Sequence, residues 1–324
     1  MTQLFVSSVD FEAPSLPIVR GRYHFDASLK NLTWFSVGGA ADILFKPKDT
    51  EDLSDFLKTN VNDHQYPVFV LGAGSNIIVR DGGIRGVVIR LAGSSFSGIH
   101  IGDNIIEVGA GALDRTVALT CQSHGLGGLE FFIGIPGTIG GALAMNAGAY
   151  GAETKDRLLW AEAVSPDGQI HRLIPEDMGF SYRHCSIPKD WIFTKAAFLA
   201  DKEDPSVIQN RLTDILARRQ ATQPVKGRTG GSTFKNPSQD VSDSSATQVR
   251  AWELIDAAGC RGMMVGDAMM SELHCNFMMN LGNASAQDLE ELGERVKLSV
   301  LESTGVQLSW EILRVGEVSR TTTP

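Results

Sequence analysis

The sequence predicts an α+β protein of two domains, and three observations carry that prediction. The chain has 324 residues, more than one ordinary domain of roughly 100–200 residues. Up to about residue 203 the apolar runs are short, extended and separated by glycine-rich turns, the pattern of a mixed or antiparallel sheet. From residue 204 onward, helical spacing alternates with strands. The division expected is an N-terminal arm (1–28), a strand-dominated domain (29–203) and a C-terminal α/β domain (204–324).

The elements follow in order. Residues 1–28 show no period and read as a loose arm. Ala41 to Lys46 is a strand, and Thr50 caps a short helix with Leu53, Phe56 and Leu57 on one face. Pro67 to Leu71 is a strand. The turn GAGSN, the extended run IIVR and the strand Gly86 to Leu91 come next, then Ile105 to Val108. Asp114 to Ser123 is a helix stopped by Gly125. Trp160 to Val164 and Ile170 to Leu173 form a hairpin about Pro166-Asp167-Gly168, and Phe193 to Leu199 is a further strand. Asp204 and Pro205 open a helix carrying Val207, Ile208, Leu212, Ile215 and Leu216. Arg218 to Asp243 is polar and reads as a functional loop. A helix spans about Ala246 to Ala258. A methionine-rich strand pair ends near Asn280. A second helix starts at Ser285, with Asp288 three residues on, and stops at Gly305. Val306 to Val315 closes the chain as a strand.

Composition excludes several classes. The net charge is −9, from 29 Lys+Arg against 38 Asp+Glu, whereas a nucleic-acid binder carries a basic face. Four cysteines in 324 residues are too few for a secreted disulfide scaffold. The N-terminus has no basic segment followed by an apolar one, so no signal peptide is expected. The long uncharged stretch from Phe131 to Ala152 is broken by glycines and Pro136, and does not read as a membrane span. A cytoplasmic setting is expected, with no membrane or nucleic-acid partner and no obligate protein partner. Glycine is the anomaly, with 34 residues against a usual content of about 7%.

Two glycine clusters carry most of the chemistry. Gly72-Ala73-Gly74-Ser75-Asn76 follows a strand, but it is not a dinucleotide fingerprint of the G-x-G-x-x-G type. Ile77 stands where Gly or Ala is required, no helix opens, and no acidic residue lies about 20 positions on. It is either an ordinary turn or a nest of backbone N–H groups for an anion, with Ser75 and Asn76 as added donors. The second cluster, Pro136-Gly137-Thr138-Ile139-Gly140-Gly141, continues into Asn146 and Gly148. Backbone donors with little side-chain bulk close well on a pyrophosphate. Two such clusters without a Walker lysine suggest a dinucleotide held by other means, flavin foremost.

Other residues are ambiguous by themselves. Tyr182-Arg183-His184-Cys185 offers a guanidinium fitted to a carboxylate, or a surface ion pair. The pairs His184-Cys185 and His274-Cys275 alternate faces in a strand and lack zinc spacing, so no metal site is assigned. Gly230-Gly231-Ser232-Thr233-Phe234-Lys235-Asn236-Pro237 offers a hydroxyl, a cation and an amide, or is a plain Ser/Gly loop without the G-x-S-x-G elbow of a hydrolase. The methionines from Met263 to Met279 read as adaptable core. Glu311, in Leu308-Ser309-Trp310-Glu311-Ile312, is an acid within an apolar strand, or the solvent side of an edge strand.

Together these segments resemble the UDP-N-acetylenolpyruvoylglucosamine reductase (MurB) family. VGGAAD, LGAGSN, GIPGTIGGALAMNAGAYG, YRHCS, GGSTFKNP, AGCRGMMVGDAMMSELHCNFMMN and WEI occur in the family's order over nearly the whole chain. The resemblance implies an FAD-binding domain of the vanillyl-alcohol-oxidase (PCMH) type, in two subdomains split near residue 66, and a C-terminal substrate-binding domain. It implies reduction of UDP-N-acetylglucosamine enolpyruvate to UDP-N-acetylmuramate in peptidoglycan precursor synthesis, with bound FAD and NADPH as co-substrate. It assigns the proton donor to Ser232 and the polarising pair on the substrate carboxylate to Arg183 and Glu311. It assigns FAD contacts to Gly72–Asn76, Pro136, Gly137, Thr138, Gly140, Gly141, Asn146 and Gly148, and substrate contacts to Tyr182, Arg219, Lys235 and Asn236. Phe35 stands where many members carry Lys or Arg and receives no role. The short spacing from Arg183 to Ser232 resembles the subclass without an inserted substrate-capping segment.

Two alternatives remain at this level. An FAD-dependent oxidase of the same fold would react with oxygen and ignore NADPH. A non-catalytic UDP-sugar-binding protein on this scaffold would be expected to have lost Ser232, Arg183 or Glu311.

Overall fold

Strands with one apolar face pair where that face can be covered, and the first sheet does this with its edge left open. In the computed structural model, which describes residues 16–237 and 249–319, the order is Arg22–Ser28, Ala40–Lys46, Ile84–Ile89 and Val68–Val70. The first pair is antiparallel and the others are parallel. Arg22–Ser28 corrects the expected loose arm, of which residues 1–15 lie outside the described residues. An edge strand with mostly exposed side chains shows no apolar alternation. The helix Thr50–Thr59 covers the sheet with Leu53, Phe56 and Leu57 against Phe45 and Ile89. Its N-cap is Asp49 rather than Thr50: Asp49 is extended and accepts from Asp52 N at 2.9 Å.

The second sheet is antiparallel throughout, ordered Ile170–Leu173, Leu158–Val164, Ile192–Leu199, Ile105–Gly109 and Ile99–Ile101. The hairpin about 166–168 is present. The helices Asp114–Ser123 and Ile139–Ala144 close one core on it, through Val117, Cys121, Ile139 and Leu143. The helix Pro205–Thr222, with Asp204 as N-cap, buries Ile208 and Leu212 in this same core. Its apolar stripe is spent on the sheet that precedes it in sequence.

The third sheet is ordered Arg228–Ser232, Phe277–Asn280, Ala268–Met270 and Met264–Val265, again antiparallel. The helices Ala251–Ala257 and Ala286–Thr304 pack on it. Met270 and Met278 are buried as expected of core, but Met264 is exposed. The polar segment 218–243 is not one loop. The preceding helix runs on to Thr222, Arg228–Ser232 is a strand, and 238–243 lies outside the described residues. That strand is hard to read because Gly230 lies against the Phe35 ring, where a Cβ would come within 2.4 Å. The expected helix at 246–258 starts at Ala251, with 246–248 outside the described residues. The closing strand is only Leu313–Val315. It pairs in parallel with Ile77–Val79, so the end of the chain returns to the first glycine turn. Among the described residues no helix is long and apolar enough to cross a membrane.

Candidate active site

Backbone pairing assembles the site. Beyond the strand Arg228–Ser232, Glu311 N donates to Thr233 O (2.9 Å) and Lys235 N to Ser309 O (2.9 Å). The Trp310-Glu311 segment is thereby laid beside Ser232. On its other side, Asn76 Nδ2 donates to Glu311 O (3.3 Å) and Leu313 N to Asn76 O (3.1 Å). Glu311 is thus clamped between the GSN turn and the GST turn, and the edge-strand reading of it is excluded.

Arg183 arrives on a tight turn closed by reciprocal bonds between Ser181 and His184, both 3.1 Å. Its φ is +53°, a left-handed conformation that costs a non-glycine residue about 1 kcal/mol or more. Asn146 Nδ2 props the turn by donating to Ser181 O (3.1 Å). Arg183 Nε donates to Glu311 Oε1 (2.8 Å) and Nη2 to Gly148 O (3.0 Å). Nη1 has no partner among the described residues. The Glu311 side chain is only 10% exposed, so this is not a screened surface pair. Burial raises the Glu311 carboxyl above its ordinary value, against the pull of Arg183 and Lys235.

These groups open onto one cavity of about 320 Å³. Gly72, Ala73, Gly74, Ser75 and Asn76 line it, as do Pro136, Gly137, Thr138, Gly141, Gly148, Arg183, Arg219, Ser232 and Glu311. Gly74 has φ +66° and a Cβ there would come within 2.1 Å of Leu32 O, so the turn tolerates only glycine. Two side-chain-free turns beside one cation suit a dinucleotide diphosphate. Arg219, expected as a substrate contact, lines this cavity together with both turns. It is half-buried, burial lowers its pKa, and it has no carboxylate partner among the described residues.

The remaining expected residues stand elsewhere. Gly140 faces inward, where a Cβ would meet Ala110 at 3.2 Å. Asn146 is fully buried and serves the Arg183 turn and Glu153. Tyr182 is exposed, and its ring lies 5.0 Å from the Arg183 guanidinium carbon. Asn236 lines a second cavity. Lys235 lines neither cavity but acts on Glu311 through its charge.

One lining residue was missed. Asp114 is fully buried, neither carboxyl oxygen has a hydrogen-bond partner among the described residues, and burial raises its pKa well above its ordinary value. It lies beneath Gly137, where a Cβ would come within 2.6 Å of Asp114 Oδ2. In the sequence it is an acid at the start of a helix, which is ordinary macrodipole chemistry and gives no sign of burial.

Comparisons with known proteins agree with one another. Residues 223–315 match the family of UDP-N-acetylenolpyruvoylglucosamine reductase C-terminal domains, and residues 41–174 match an FAD binding domain family. The chain is 51% identical over 301 residues to the UDP-N-acetylenolpyruvoylglucosamine reductase of Rhodospirillum rubrum, covering 93% of this chain and 92% of that one. It is 50% identical over 304 residues to the protein of the same name from Rickettsia canadensis, covering 94% and 99%. The crystal structure of the UDP-N-acetylenolpyruvylglucosamine reductase of Thermus caldophilus matches with a TM-score of 0.77 at 34% identity, covering 92% of this chain and 100% of that one.

Proposed function

Since the chain belongs to the UDP-N-acetylenolpyruvoylglucosamine reductase family, we propose that the cavity joining Ser232, Arg183 and Glu311 is where the enolpyruvyl ether of UDP-N-acetylglucosamine is reduced. The chain is an oxidoreductase of peptidoglycan precursor synthesis with an FAD-binding domain. FAD fits the cavity between the two glycine turns, with Arg219 beside the diphosphate. When bound it supplies hydride to the substrate double bond. NADPH is the reductant in this reading, and the setting is cytoplasmic.

The observation that carries the proposal is the Arg183 geometry. Two of its nitrogens are held by Glu311 and Gly148 O, and Nη1 is left for the cavity. A fixed cation there meets the substrate carboxylate. Negative charge grows on that carboxylate as the double bond is reduced, so the contact strengthens toward the transition state. Glu311 acts on Arg183 as a positioning residue: it fixes the fork. Ser232 Oγ, with no partner among the described residues, donates the proton to the carbon beside the carboxylate, a strongly basic centre at that stage.

The test is an anaerobic titration of the purified yellow protein. Flavin absorbance should bleach with NADPH and return on adding the enolpyruvyl substrate. A yellow protein indifferent to NADPH but reactive toward oxygen would replace this reading with an oxidase. A protein that takes up no FAD would leave a UDP-sugar-binding protein.

A further inference from the structure

Three buried side-chain oxygens lack a hydrogen-bond partner among the described residues: both carboxyl oxygens of Asp114 and Thr229 Oγ1. Both residues line the cavity between the two glycine turns. They reach it from distant segments, Asp114 from the start of the helix Asp114–Ser123 and Thr229 from the strand Arg228–Ser232. A buried polar group left unpaired costs about 1–3 kcal/mol, so polar atoms left open on one cavity point to a ligand that completes them.

The backbone fixes the Asp114 carboxyl under the second turn. Asp114 N donates to Gly137 O (3.2 Å), and Leu113 bridges Thr138 in antiparallel register. Asp114 Oδ2 lies on the side of Gly137 where a Cβ would stand, 2.6 Å from that position. The carboxyl caps nothing: the helix N-cap is Leu113, with no side-chain bond. The turn 135–138, the helix Ile139–Ala144 and the first turn 72–76 bring it no titratable side chain. Arg115 follows on its own helix, and Arg219 lines the cavity within electrostatic reach of Arg115. Arg183 and Glu311 line it as a mutual pair. Burial dominates at the Asp114 carboxyl and pushes it up.

We propose that Asp114 holds FAD as an un-ionised acid, its O–H donating to an oxygen of the diphosphate seated between the two glycine turns. The inference rests on FAD occupying this cavity, as in the function proposed above. A carboxylate and a diphosphate both only accept, so the two ionised groups side by side repel. One proton between them turns the contact into a charge-assisted hydrogen bond. Burial favours the neutral acid before FAD arrives, and the anionic diphosphate favours it further. The glycine turns offer backbone donors. Asp114 adds a donor that exists only while it carries its proton.

The test uses the full-length protein near neutral pH, with FAD bound and after its removal. The infrared spectrum of the FAD-loaded wild type should carry a protonated-carboxyl carbonyl band that Asp114→Asn lacks. That band should move to lower frequency when FAD binds. In flavin fluorescence titrations Asp114→Asn, which keeps an N–H donor, should bind FAD within about threefold of the wild type, and Asp114→Ala about tenfold more weakly. The wild-type and Asn spectra carry the result even if the Ala variant misfolds. No such band in the FAD-loaded wild type would make Asp114 an ionised acceptor and overturn the proposal. A band unmoved by FAD, or wild-type affinity in Asp114→Ala, would overturn it by removing Asp114 from the FAD contact. A wild type that takes up no FAD would overturn the function reading beneath it instead.

Discussion

Asp114 shows how burial defeats a favourable local position. At the first turn of a helix the macrodipole favours a carboxylate by up to about 2 kcal/mol. Removing an unpaired charge from water costs several kcal/mol, so burial outweighs the macrodipole and the Asp114 carboxyl is pushed up. An acid whose pKa is higher folded than unfolded stabilises most at low pH. That support is lost as pH rises from the unfolded value, about 4, toward the folded one. Asp114→Asn should therefore melt near the wild type at pH 5 and above it at pH 8, in a fluorimetric melting series; curves that stay parallel at every pH would show Asp114 to be paired or exposed. Ser232→Ala should still be reduced by NADPH, while reoxidation by substrate slows about 10²–10⁴-fold. Near-normal reoxidation in rapid mixing would remove Ser232 as donor. Arg183→Lys should lower turnover at saturating substrate at least a hundredfold. A point charge cannot hold Glu311, Gly148 O and the substrate from one planar fork, and turnover close to wild type would show that charge alone suffices.

At the scale of elements, the helix Ala286–Thr304 carries a glycine at its middle for a packing reason. A Cβ at Gly293 would stand 2.1 Å from the Trp310 ring. Helix propensity predicts that Gly293→Ala stabilises by about 1 kcal/mol. Overpacking predicts a loss of about 1–3 kcal/mol, and it should prevail because Trp310 is boxed in by Phe234 (5.2 Å) and by the Glu294 bond to its Nε1 (2.8 Å). Denaturant unfolding should therefore place Gly293→Ala below the wild type; a gain would mean that Trp310 moves freely. Because Glu311 follows Trp310, the same variant should also disturb the Arg183 pair.

At the scale of the whole molecule, the chain closes on itself. Leu313–Val315 pairs with Ile77–Val79, the strand that leaves the first glycine turn. Arg80 Nε, just beyond, bonds Glu290 Oε1 at 2.8 Å, and Phe35, Val37 and Ile78 sit in the core of the C-terminal sheet. The cavity walls are thus set by segments more than 200 positions apart. Leu313→Pro removes the N–H that holds Asn76 O, and should lower the flavin retained after gel filtration about tenfold. Leu313→Ala, which keeps the N–H, should retain it; equal loss in both would assign the effect to the side chain.

What the sequence determined by itself was local. Gly74 and Gly137 announced side-chain-free turns, Asp204-Pro205 and Ser285-Asp288 announced helix starts, and alternating apolar runs announced the central strands. The motif order named Arg183, Ser232 and Glu311 together. Tertiary structure alone decided what depends on distant partners. Arg22–Ser28 is a strand only because Ala40–Lys46 lies beside it, and Arg228–Ser232 only because Phe277–Asn280 does. Glu311 is an inward acid rather than an edge residue because Asn76 and Thr233 clamp its backbone from both sides. Asp114 is an acid without a hydrogen-bond partner among the described residues only because Gly137 and the second sheet's core close over it. Backbone propensity is written within a few neighbouring residues, whereas burial, and with it the protonation state of an acid, is a property of everything packed around it.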